Sequence, residues 1–231
     1  METCLEALNG FTNVEIYCDI IKESLRLINY KIYPTEEEHR LALIKKMKLE
    51  KSYDIELFIS CIDLIEDAQY AINEVNEYGL SLGKIPRRNE MYLRLYGVLN
   101  AAYIQILAIK DLLNLLNLLN FSEFTEIHNH LKKVRLIELR NKIASHSTNY
   151  DDGTNERCFF RLVQASLSKS GKNIQIEGRN ESEDFNLLDC LASFTNEVEF
   201  FLDKIVVKQL EKTYKKEAID DLTLKYNYIK K

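Results

Sequence analysis

A chain of 231 residues, 46% apolar and 29% charged, suffices for one substantial folded domain and is far from a disordered composition. Its 7 glycines and 2 prolines favour long helices with few interruptions. The net charge of −5 excludes broad, sequence-blind binding to nucleic acid over the whole surface, but leaves room for a local basic site.

The five cysteines, Cys4, Cys18, Cys61, Cys158 and Cys190, are scattered, odd in number and never spaced as CxxC. That pattern argues for buried thiols in a reducing compartment, against a zinc knuckle or a disulfide framework. The opening "METCLEALNGFTNVE" lacks the basic-then-apolar order of a secretory signal. The most apolar run, Val98 to Leu119, carries Lys110, Asp111 and three asparagines, so no membrane span is expected and the chain reads as cytoplasmic.

In chain order, residues 12–31 place Val14, Tyr17, Cys18, Ile21, Leu25 and Ile28 at helical spacing, and Pro34 breaks the run. Thr35 with Glu38 forms a capping-box pattern opening a second helix, roughly 36–49. A third runs from about Asp54 to Tyr78 and stops at Gly79. The glycines and proline of "GLSLGKIPRRNE" then mark a subdomain boundary, with a linker at 81–89 after an N-terminal helical region, 1–80. Residues 90–120 predict a long helix whose "LLNLLNLLN" is apolar on nearly every side, and so buried on nearly every side. Ser122 caps the next helix, which extends to about Ser145 and pairs antiparallel with the one before. A β-hairpin is predicted at about 158–178 from "CFFRLVQASLS" and "KNIQIEG", turning at "KSGK". Helical patterning returns from about Asp184 to Tyr214, and 216–231 closes the chain as a short helix.

Candidate chemistry is sparse. His128 and His130 lie about 200° apart around a helix, with no carboxylate at ligand spacing, and His39 in "TEEEHR" looks solvated, so no metal is expected. "GLSLGKIP" lacks the phosphate-loop spacing, "YDDGTNE" lacks a calcium ladder, and there is no GxSxG or Cys–His nucleophile signature. What remains is "IELRNKIASHSTNY", where Arg140, Asn141 and His146 crowd a helix end. On a regular helix Arg140 and His146 stand about 240° apart. Convergence therefore needs the helix to loosen near Ser145, the arginine to swing round, or a partner chain to supply the second half. The other reading is a dipole-complementing helix end followed by a Ser-Thr-Asn turn.

The segment R-N-K-I-A-S-H resembles the signature of the HEPN superfamily: an arginine, a polar residue, then a histidine after several positions. The run "RRNEMYLRLYGVLNAAYIQ" is similar to the first long helix of bacterial HEPN-like proteins. The resemblance covers roughly residues 89–215, and Ser147 stands where the family often has proline. With the helical and strand patterning above, it predicts a mainly α fold: an antiparallel HEPN-like helical bundle at 90–215 with a small β-hairpin insertion, beside an N-terminal helical subdomain that the resemblance does not cover. It also implies a homodimeric, metal-independent endoribonuclease of the toxin or phage-defence kind, without cofactor. His146 would then be the acid–base group, Arg140 the phosphate clamp and Asn141 an orienting residue. The local basic run, Lys132, Lys133, Arg135, Arg140 and Lys142, gives RNA a landing place, with Lys133 and Lys142 as substrate-binding residues. Two other readings stay open: a non-catalytic interaction protein on the same fold, and a toxin held by a nucleotidyltransferase partner.

Overall fold

The computed structural model describes residues 8–28, 32–118, 125, 127, 131, 134–145, 150, 158–179, 181–214 and 219–230. The fold is mainly helical with one small antiparallel sheet. Helix α1, Asn13–Arg26, opens with a reciprocal capping box: Glu15 N–H donates to the Thr12 hydroxyl, and Thr12 N–H donates to the Glu15 carboxylate at 2.8 Å. The predicted Thr35–Glu38 box opens α2, Glu36–Met47, in the same way. Helix α3 is Asp54–Tyr78, and Gly79 follows at φ 70°, where a left-handed residue turns the chain without steric cost.

Helix α4, Arg88–Leu115, is shorter than the predicted 90–120. Asn117, in the middle of the asparagine row, adopts φ 48°; its N–H returns to Asn114 O and that of Leu118 to Leu113 O. This paired closure ends the helix, and asparagine tolerates the left-handed conformation better than the leucines around it. By length and composition alone α4 could cross a membrane, but 56% of its most apolar window is buried inside the protein.

Within the stretch 81–89, Ser81 is buried and residues 82–89 are exposed; just before it, Leu80 is buried and its N–H donates to Lys169 O at 2.7 Å. Arg94 clamps the turn at Gly79, donating from Nε to Gly79 O and from Nη1 to the Glu74 carboxylate. The predicted continuous helix to Ser145 is interrupted. Backbone at Val134 is extended, ψ 126°; a short helix α5, Arg135–Arg140, follows, then a wider π turn, Asn141–Ser145. The proposed Ser122 cap lies outside the described residues.

The hairpin has a third strand. β1 (Arg161–Leu162), β2 (Ile174–Glu177) and β3 (Ser182–Phe185) are antiparallel in that order. Ile174, Ile176 and Phe185 turn into the core, while Arg161 pairs across the strands with Glu177 at 2.8 Å. Helix α6 therefore starts at Leu187, not Asp184, and runs to Val207, extended by a π turn at Lys208–Thr213. Helix α7 is Asp220–Ile229.

Packing separates the chain into two compact units. One comprises Met1–Glu66, Ile106–Ser122 and Glu197–Lys231; the other comprises Asp67–Gln105 and Glu123–Asn196. In the first, α7 packs on α1: Lys225 bonds Asp19 and Glu23, and Asp203 accepts from Tyr17 and Tyr226. In the second, Leu95, Leu99, Leu136, Leu139, Ile174, Phe185, Leu191 and Phe194 are buried, and the motif helix and the sheet share this core.

Candidate functional site

Helix α5 is held by one buried face, Leu136, Ile137 and Leu139, which turns Arg135 and Glu138 towards the sheet. The Arg135 guanidinium lies 4.0 Å above the Phe185 ring and donates to Asp184 O. Arg140 closes the helix. Its guanidinium carbon sits 3.8 Å from the centre of the Tyr103 ring, and Nη1 donates to the Asn141 side-chain oxygen at 3.0 Å. A stacked guanidinium gains about 0.5–2 kcal/mol from such a ring and keeps its edge donors for other partners. Among the described residues no carboxylate pairs with Arg140.

The backbone widens from Asn141 to Ser145, immediately after Arg140. Such π turns are uncommon and cluster at functional positions, because shifting to i→i+5 bonding re-aims the side chains that follow. The widening begins at Asn141, four residues before Ser145, and His146 lies beyond it, outside the described residues.

Lys142 corrects a sequence expectation. It is only 5% exposed and donates to Glu138 at 2.7 Å and to Glu183 on β3, with its ammonium 4.7 Å from the Phe160 ring centre. Burial disfavours its charge, but the hydrogen bonds to Glu138 and Glu183 outweigh that and raise its pKa above the ordinary lysine value. An ammonium so engaged braces the motif turn against the sheet and has no free face for substrate. Of the predicted site residues, Arg140 and Asn141 are brought into contact, Lys142 turns away from them into an ion-paired core, and His146 and Lys133 lie outside the described residues. His128 and His130 also lie outside them.

Sequence reasoning missed Tyr103, the platform beneath Arg140, and Glu183, the far carboxylate on Lys142. Tyr103 was legible in part as an aromatic residue on a helix face; Glu183 carried no signal. His39 is corrected too: it is half-buried, with Nε2 3.1 Å from Ile28 O and its ring edge-on to Tyr33. Cys18, Cys61 and Cys190 are buried free thiols and Cys158 is partly buried; burial raises the Cys61 thiol to about 11. No cluster of metal-ligating side chains occurs among the described residues.

Compared with family models, curated proteins and solved structures, the chain matches none.

Proposed function

We propose that the chain is an endoribonuclease of HEPN type that works as a homodimer. The observation that carries this reading is Arg140: a guanidinium steadied on Tyr103, bonded on one edge to Asn141, at the point where the motif helix widens. Arg140 holds the scissile phosphate through its remaining N–H groups and offsets the charge that develops there. Asn141 orients that fork. His146 moves the proton, since imidazole titrates near neutral pH. The RNA 2′-hydroxyl gives up its proton and attacks phosphorus; the 5′-oxygen leaves and takes a proton. The products are a 2′,3′-cyclic phosphate and a 5′-hydroxyl end. Two copies supply the acid and the base.

The test is cleavage of end-labelled single-stranded RNA by purified protein in the presence of a chelator. Wild-type protein is expected to cut and leave cyclic phosphate ends. His146→Ala is expected to lose about a hundredfold or more in rate, with an unchanged circular dichroism spectrum. Cleavage by His146→Ala at the wild-type rate would sink the assignment. A second reading, a non-catalytic helical interaction protein, is favoured by Arg135 and Lys142. Both are tied to Glu138 and Glu183 instead of facing an open anion site. Wild-type protein that binds a partner but never cuts RNA would decide for it.

A further inference from the structure

Helix α4 carries a second feature that leads to Arg140. On its wheel Arg88, Asn89, Tyr92, Tyr96, Asn100 and Tyr103 fall within about 120° of arc. Arg88, Asn89, Tyr96 and Asn100 are exposed, and Tyr92 and Tyr103 are partly so. The Tyr92 and Tyr96 rings lie 6.0 Å apart and near-parallel, at 24°, as a stacked pair. Tyr103 carries Arg140. From Arg88 to Tyr103 the face runs about 22 Å. The single carboxylate in this stretch, Glu90, is turned off it and accepts from Ser81 and Leu82. On a chain of net charge −5, a strip with a cation at each end, three tyrosines between and no acid stands out.

We infer that this strip is a track for single-stranded RNA, delivering the backbone to Arg140; the inference rests on the RNA-cleaving reading above. Tyrosine plates stack on any exposed base face, whereas duplex bases are already stacked on each other and unavailable. The asparagines add donors and acceptors for base edges and sugar hydroxyls. Arg88 grips phosphate at the entrance, as Arg140 does at the exit. An anionic polymer fits a strip without carboxylates, and the spacing of rings along one helix face suits a chain lying lengthwise on it.

The experiment measures binding of a fluorescein-labelled, mixed-sequence single-stranded RNA by anisotropy, in the cleavage-silent His146→Ala protein. Adding Tyr92→Ala with Tyr96→Ala is expected to weaken binding at least tenfold. Tyr96→Phe should bind like the parent, since stacking needs the ring and not the hydroxyl. Asn100→Glu, an exposed change that leaves the core untouched, should weaken binding by placing a charge on the track. Arg88→Ala should lower the slope of log affinity against log salt by about 0.7. The inference is overturned by wild-type protein that does not bind RNA, by a tyrosine pair variant that binds as tightly as the parent, or by duplex RNA competing as well as single strands. It is equally overturned if the tyrosine changes alter only self-association in sedimentation, which would make the strip a contact between copies. If wild-type protein fails to cut but its RNA binding depends on the tyrosines, the track stands and the nuclease reading falls. If it cuts and the tyrosines do not matter, the reverse holds.

Discussion

Lys142 and Lys225 stand in different units and do the same job. Each side chain is nearly buried, 7% and 9% exposed, and each bonds two carboxylates: Glu138 and Glu183 for Lys142, Asp19 and Glu23 for Lys225. One ties the motif turn to β3; the other ties the last helix to the first. Only Lys142 lies in a suggestive motif, yet its surroundings match those of a lysine with no motif at all. Arg140, two residues away, differs in kind: it lies on a ring and bonds a neutral amide, and among the described residues no carboxylate pairs with it. Two residues of one motif thus meet different surroundings, a pair of carboxylates for Lys142 and a ring with a neutral amide for Arg140, and proximity in sequence does not foretell which.

Stability measurements can break this comparison. Lys142→Ala leaves Glu138 and Glu183, only 24% and 20% exposed, with the more exposed Arg135 as their remaining cation, and should cost about 3 kcal/mol in denaturant unfolding. If it instead weakens RNA binding with little loss of stability, the equivalence fails. Lys225→Ala should cost less, about 2 kcal/mol, because Asp19 and Glu23 are 44% and 33% exposed and water screens their repulsion. Arg140→Ala should cost only about 1 kcal/mol, the worth of its ring contact. It should nevertheless slow RNA cleavage about a hundredfold or more, and a variant that is unstable but active would reverse the assignment.

The smallest effect is in alkali. Burial raises Tyr226, and the hydrogen bond and charge of Asp203 raise it further, from 10 to about 12. A group whose pKa rises on folding contributes stability below its unfolded value and loses it as pH climbs through the folded one. The clamp on Asp203 should therefore weaken between about pH 10 and 12, and tyrosinate absorbance should show at least one ring ionising late. Tyr226→Phe should cost about 1 kcal/mol at neutral pH and flatten that decline. Lys142 and Lys225, both raised by their carboxylate partners against the effect of burial, add losses of the same sign above the ordinary lysine range.

Much of the fold was legible because its signals are local. The Thr35–Glu38 box and Gly79 after α3 sit where spacing put them, and of the first predicted stripe Val14, Tyr17, Cys18 and Ile21 are buried while Leu25 and Ile28 are half-buried. The Thr12–Glu15 box was equally local and was overlooked. Strand β3 was not legible: "SEDF" has one buried apolar residue, and its extended form comes from bonding to β2. The break at Val134 has no side-chain cap to announce it.

By itself the sequence determined that the chain is mainly helical, where most helices start or stop, and that Arg140 and Asn141 are adjacent at a helix end. These depend on residues within a turn or two of each other, whose energetics hardly need the rest of the molecule. Tertiary structure decided what those residues face. It set Tyr103 beneath Arg140 and brought Glu183, 41 residues along the chain, onto Lys142. The role of a charged side chain depends on its desolvation and its partners, and both are properties of the packed interior rather than of the motif.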